Sequence, residues 1–270
     1  MLGKTVVITG SSEGIGKQTA LELARLGARI ILNGRHADKL KDVRDEIINA
    51  TGNDGIEYVA ADLSSMTEVT KFAEEILTLC PRLDVLINNA GVLIGDRTLT
   101  KDGYETTFAI NHLSHFMLTN LLIDRLRASA PTRIITVSSQ LHRSGTIDFD
   151  NLHGERHYNG RSAYCNSKLA NVMFSHELSS RLTDSGVTSN SLHPGVIATR
   201  LLRQSFGSAG GDELSVGAET PVYLASSDEV ASISGKYFQR KRIAETHPDV
   251  DNSALRKKLW EVSEKMVERV

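Results

Sequence analysis

Tyr164 and Lys168 stand four residues apart in Ala163-Tyr-Cys-Asn-Ser-Lys168, inside a stretch whose pattern predicts a helix over 163–183. On a helix that spacing sets a phenol and an ammonium on one face. A phenol holds a transferable proton, but its reference pKa near 10 is too high for efficient exchange at neutral pH, and a neighbouring positive charge lowers it. The pair reads as a device for exchanging a proton with an oxygen whose charge changes. A solvated helix face carries such pairs by chance, so the motif gains weight only from its company.

A second constellation lies at the start of the chain. Thr9-Gly10-Ser11-Ser12-Glu13-Gly14-Ile15-Gly16 follows an apolar run and opens an amphipathic one, the context that turns a glycine pattern into a dinucleotide loop. Gly10 takes the tight turn, Gly14 admits the backbone to a pyrophosphate, and Gly16 allows close helix–strand packing. The helix N-terminus then offers free N–H groups and positive dipole to the anion. The next apolar run ends Ile31-Leu32-Asn33-Gly34-Arg35. An NAD-binding loop usually places a carboxylate there for the ribose 2′-hydroxyl. Here that place is taken by Gly34, and Arg35 follows, suited to pair with a 2′-phosphate. NADP(H) is the expected cofactor and NAD(H) the alternative.

These groups need a scaffold. Short apolar runs at Lys4–Thr9, Arg29–Asn33, Ile56–Ala60, Val85–Asn88, Arg133–Val137, Thr188–Leu192 and Lys236–Gln239 alternate with helical patterns at Gly14–Leu26, Ala37–Ala50, Thr67–Cys80, Tyr104–Ala128, Ala163–Thr183 and Glu219–Ala225. That rhythm predicts an α/β fold: a doubly wound, Rossmann-type parallel sheet of about seven strands with helices on both faces. A last helix is expected from Asn252, with Leu255, Leu259, Val262 and Met266 on one stripe. Residues 1–270 read as a single domain, its cofactor half about 1–130 and its catalytic and substrate half about 131–270. The glycine-rich Ser205–Ser215 reads as a mobile loop with few bulky groups for gripping a substrate.

The Gly-x-x-x-Gly-x-Gly spacing resembles that of the short-chain dehydrogenase/reductase family, and further motifs appear in that family's order. Asn88-Asn89-Ala90-Gly91 matches the segment that runs beside the riboses, and Asp62-Leu63 the pair that contacts adenine. Asn111 matches the asparagine that bends a helix and seats a proton-relay water. Ser138-Ser139 closes the fifth strand, where the family keeps the serine that holds the substrate oxygen; Ser139 is favoured and Ser138 is the fallback. Pro194–Thr199 matches the segment around the nicotinamide, with Thr199 toward its carboxamide. The resemblance implies a catalytic set of Asn111, Ser139, Tyr164 and Lys168. Cofactor contacts are implied at Gly10, Ser12, Gly14, Ile15, Gly16, Arg35, Asp62, Leu63, Asn89, Tyr164, Lys168 and Thr199. Many NADP(H) members carry a basic residue where this chain has Glu13, which cuts against the Arg35 reading.

The gap from Ser139 to Tyr164, together with Asp148-Phe-Asp-Asn-Leu152 and Leu259-Trp-Glu-Val-Ser263, is similar to the retinol dehydrogenase and WW-domain oxidoreductase branch. That implies hydride transfer between nicotinamide and a carbonyl or alcohol carbon of a small apolar substrate, by a retinol-dehydrogenase-like enzyme or a general carbonyl reductase. The alternative is a non-catalytic NADP(H) sensor or scaffold on the same fold.

Composition bounds the rest. A net charge of −2 with dispersed Lys and Arg argues against nucleic acid as a partner. Only Cys80 and Cys165 are present, which points to a reducing compartment. No run approaches the roughly 20 apolar residues of a spanning helix, and the first strand leaves no room for a signal peptide. A cytoplasmic protein is expected. His153 and His157 lack a third metal ligand, so no metal is expected, and His193 reads as a packed structural histidine. A homo-oligomer is left open, because core burial explains Leu169, Val172 and Met173 as well as a subunit contact does.

Overall fold

The computed structural model describes residues 1–207 and 210–268. The strands are β1 (Thr5–Ile8), β2 (Arg29–Gly34), β3 (Ile56–Ala60), β4 (Val85–Asn88), β5 (Thr132–Val137), β6 (Val187–His193), β7 (Tyr237–Gln239) and β8 (Arg242–Ile243). The helices are α1 (Gly14–Arg25), α2 (Ala37–Thr51), α3 (Met66–Leu79), α4 (Thr106–Phe108), α5 (Ser114–Ala128), α6 (Gly160–Arg181), α7 (Arg200–Phe206), α8 (Leu214–Ser226) and α9 (Ser253–Val267). They build one sheet in the order β3-β2-β1-β4-β5-β6-β7-β8. Its first seven strands are parallel, as the alternating pattern implies, and the two-residue β8 is an antiparallel addition to β7.

Side-chain alternation divides the apolar strands between two cores. Val6, Ile8, Ile30 and Leu32 face α1, α2 and α8, whereas Val7, Ile31 and Leu86 face α3, α5 and α6. Every residue of β1 and β4 is buried. The chain runs from β1 to β2 and β3 on one side, then returns to β4 on the other. The carboxyl ends of β1 and β4 are therefore the switch point at which open α/β sheets bind ligands. Asp84, 2% exposed, fastens the opposite end by accepting from the Thr5 amide (2.9 Å), Lys4 Nζ (2.9 Å) and Arg82 Nε (2.8 Å).

Three sequence expectations need correction. The single helix expected over 104–128 is α4, then a π-helical turn at Ala109–Leu113, then α5. Periodicity does not register one wide turn in an otherwise helical run. The expected loop at 205–215 is helical at both ends, through α7 and α8, while Ser208 and Ala209 lie outside the described residues. Thr199 explains the helix: its side chain caps α7 by accepting the Leu202 amide at 3.2 Å, and Gly207 ends it at φ 60°. On α9 the buried residues are Leu259, Trp260 and Ser263, with Leu255 and Met266 only part-buried. The stripe turns toward Trp260 because that ring stacks on Phe174 and carries the Arg181 guanidinium at 4.2 Å. Leu169, Val172 and Met173 are wholly buried within the chain, in a cluster with Tyr237 and Leu259. Among the described residues no helix is long and apolar enough to cross a membrane.

Candidate active site

The β1–α1 turn packs so closely on its neighbours that two of its glycines have no room for a side chain. Gly10 sits at φ +61°, and a Cβ on it would lie 2.8 Å from Ala90 Cα. A Cβ on Gly16 would lie 2.5 Å from both Asn89 Nδ2 and the Gly10 carbonyl. Only glycine satisfies the conformation at one position and the space at the other. Asn89 Nδ2 donates to the Thr9 and Gly10 carbonyls (2.8 and 3.1 Å), and Thr9 Oγ1 accepts the Asn89 and Ala90 amides. The glycine loop and the Asn-Asn-Ala-Gly turn are thus one hydrogen-bonded unit.

A cleft of about 660 Å³ opens above that unit, lined by Gly10, Ser12, Gly14, Ile15, Gly16, Arg35, Asp62, Leu63, Asn89, Ser139, Tyr164, Lys168 and Thr199. Every expected cofactor position is therefore on one cavity. Asn111 lies just behind its wall, fully buried. Asp62 is not the cap of α3. Its carboxylate accepts the Ser64 amide at 2.9 Å, and Ser65 caps the helix.

Lys168 is 3% exposed, its Nζ donating to the Val137 carbonyl at 3.1 Å and lying 5.5 Å from the Tyr164 ring. The Tyr164 hydroxyl hydrogen-bonds the Ser139 side chain. Ser138 instead donates to the Lys168 carbonyl at 2.7 Å, tying β5 to α6. Of the two serines, then, Ser139 meets the phenol. Asn111 Nδ2 donates to the Val92 carbonyl and Ser167 Oγ, both at 2.9 Å, and its Oδ1 accepts the Val92 amide at 2.8 Å. The π-helical turn places this side chain so that it joins the end of the Asn-Asn-Ala-Gly turn to α6. A Cβ on Gly91 would touch both Lys168 Nζ (3.1 Å) and Asn111 Oδ1 (3.6 Å).

The electrostatics depart from the expected lowered phenol. In the protein alone, burial pushes Tyr164 up to about 12, and the Ser139 hydrogen bond only partly opposes it. Burial also brings Lys168 down to about 8. Both shifts have one cause, the loss of water around a group that must carry charge.

Several cleft residues escape motif reading. Glu13 does not stand alone: Lys39 ion-pairs with it and holds its carboxyl below the usual range, helped by the more distant Arg200 and Arg35. Lys39 lies one helical turn beyond Arg35, at the start of α2, a spacing that could have revealed it. The cleft is more apolar than the glycine content of 205–215 implies, because α7 and α8 add Leu201, Leu202 and Leu214 to a lining that also holds Leu141 and Val196. His193 also lines the cleft, 5% exposed, with Nδ1 buried and unpartnered. Burial brings it to about 4, so it is a neutral group at the wall, more than a packing element. His153 stacks on Tyr104, and its Nδ1 accepts the Glu105 amide at 3.3 Å.

A close-packed glycine loop at the switch point, sharing one cleft with a buried serine–tyrosine–lysine set, is a family-level signature. The family model described as short chain dehydrogenase matches residues 4–208. This chain belongs to that family, the short-chain dehydrogenases/reductases. Human retinol dehydrogenase 13 is 44% identical over 281 residues, covering 98% of this chain and 85% of that protein. An uncharacterized protein from Mycobacterium paratuberculosis has a similar structure, with TM-score 0.82, 32% identity, and 99% and 94% of the two chains covered. A short chain dehydrogenase from Shigella flexneri 2a, solved complexed with NADP, matches with TM-score 0.75 and 25% identity over 90% and 98%. The chain is accordingly a retinol-dehydrogenase-like oxidoreductase of this family, using a nicotinamide dinucleotide and a small substrate.

Proposed function

We propose that this protein transfers hydride between NADP(H) and the carbonyl or alcohol carbon of a small apolar substrate, with Tyr164 exchanging the proton. The observation that carries the reading is the convergence of Ser139, Tyr164 and Lys168 on the cleft that also holds the glycine loop. The cleft residues fit a phosphorylated dinucleotide. Gly10 and Gly16 leave no space for side chains between the loop and its neighbours. Gly34 has room for no carboxylate without displacing Ser12, whose Cβ would be 3.0 Å from a Cβ there. Lys39 neutralises the Glu13 carboxylate, which leaves the charge of Arg35 for a 2′-phosphate, and the NADP of the Shigella relative supports the same preference.

When bound, the nicotinamide would supply or accept the hydride. Ser139 then holds the substrate oxygen, and Tyr164 donates the proton that the developing alkoxide needs. Lys168 would hold the neighbouring ribose and, while charged, would stabilise the phenolate left behind. Asn111 keeps the wall behind Lys168 in register and supports the relay. Leu141, Val196, Leu201, Leu202 and Leu214 take the apolar body, so retinoid and general carbonyl substrates both suit this cleft. Most of the dinucleotide contacts would fall to the half at about 1–130, and most of the catalytic and substrate contacts to the half at about 131–270. Buried, unpaired Cys80 and Cys165 suit a reducing compartment.

The test is a panel of retinal, aliphatic and aromatic aldehydes and ketones, run in parallel with NADPH and NADH while absorbance is followed. Turnover with a higher kcat/KM for NADPH is expected. NADPH binding with no turnover of any substrate would instead favour a sensor or scaffold.

A further inference from the structure

The 25-residue separation of Ser139 from Tyr164 has a structural use that proton exchange alone does not explain. Gln140–Ser144 forms a single 3-10 turn leading directly away from Ser139. His142, within it, is fully buried. Its Nδ1 lies 2.7 Å from the Ser139 carbonyl oxygen, and its own amide donates to that same oxygen at 3.1 Å. A carbonyl can only accept, so Nδ1 carries the proton and Nε2 is left as a buried acceptor without a partner. The ring is held by Tyr237, 4.5 Å away centroid to centroid, whose own hydroxyl is likewise buried and unpartnered.

The far end of the turn is docked on α6. A Cβ on Gly145 would lie 2.7 Å from the Cys165 carbonyl and 2.9 Å from Leu169 Cβ, so backbone meets backbone there. The Thr146 amide donates to Asn166 Oδ1 at 2.8 Å. One end of the segment therefore carries Ser139, and the other rests on the helix between Tyr164 and Lys168. We infer that His142, braced by Tyr237, is a positioning residue that sets the Ser139 hydroxyl against the Tyr164 phenol. This rests on the reading that Ser139 and Tyr164 act on the substrate oxygen. A donor with the same reach, such as an asparagine amide, should replace the imidazole in part.

The experiment compares wild type with His142→Leu, His142→Asn, Gly145→Ala and Tyr164→Phe, using the best substrate of the carbonyl panel. It reads kcat, carbonyl KM, and NADPH affinity by fluorescence titration. His142→Leu is expected to lower kcat about tenfold with NADPH affinity within about twofold of wild type, while His142→Asn recovers most of the loss. An unimpaired His142→Leu enzyme, equal losses in both His142 variants, or a parallel loss of NADPH affinity would overturn the inference. If the His142 variants do not fold, Gly145→Ala decides, because φ −81° at Gly145 suits alanine and its methyl would press on the Cys165 carbonyl and Leu169 Cβ of α6. A lowered kcat at unchanged NADPH affinity supports the positioning role, and an unchanged kcat refutes it. A fully active Tyr164→Phe enzyme would bring down the underlying reading. An inert Tyr164→Phe beside a normal His142→Leu would remove this inference alone.

Discussion

At the scale of single residues, burial sets the chemistry. Tyr164 keeps its proton far into the alkaline range, which suits a group that must donate in carbonyl reduction. Lys168 behaves differently, because its value is lowered to about 8 and its charge is lost as pH rises through that point. Reductive kcat/KM measured from pH 6 to 10 should therefore fall on the alkaline side near 8, well below the range in which Tyr164 itself ionises. A profile flat from 7 to 9 would show that the Lys168 charge is not used. If Arg35 pairs with the 2′-phosphate as proposed, Arg35→Ala should raise the NADPH KM about tenfold and leave that for NADH nearly unchanged; initial rates with both cofactors check this. Motifs revealed Tyr164, Lys168 and the glycines because the chemistry ties them to short spacings. The packing of His142 against Tyr237 and the place of His193 on the cleft wall depend on contacts between distant segments, which no local spacing encodes.

Secondary-structure elements repeat that division. The apolar strands were readable because a parallel sheet buries both of its faces, leaving continuous runs such as Val6-Val7-Ile8. The π-helical turn around Asn111 and the short α7 were not. One is an extra residue inside an unbroken helical pattern, and the other depends on a threonine cap within a polar, glycine-flanked stretch. Asp84 illustrates an element-scale restraint that leaves the chemistry untouched. It joins the start of β1 to the start of β4, at the end of the sheet away from the cleft. Asp84→Ala leaves the buried Thr5 amide without its acceptor and should cost about 1–3 kcal/mol. Urea denaturation should show that loss with kcat unchanged, because Lys4 and Arg82 are half-exposed and can return to water.

Across the whole molecule, the histidines link stability to acidity. Burial lowers His112, His142, His176 and His193 to about 4, and His115 to about 3. Unfolded, each would titrate near 6.5. Between those values the unfolded chain binds more protons than the folded one, so stability is full above about pH 6.5 and falls as pH drops toward 4. Urea midpoints measured from pH 7.5 to 4.5 should decline throughout the lower part of that range, and a constant midpoint would contradict these environments.

What the fold accomplishes is to bring the end of β5, the start of α6 and the β1–α1 turn to one cleft, so that a buried phenol shares that cleft with the glycine loop. The most direct measurement is the single-oxygen change Tyr164→Phe, with kcat for the best carbonyl and NADPH affinity both determined. A fall in kcat of about a hundredfold or more, with NADPH bound as tightly as before, is the expected result. Carbonyl reduction at the wild-type rate by the Tyr164→Phe enzyme would contradict it.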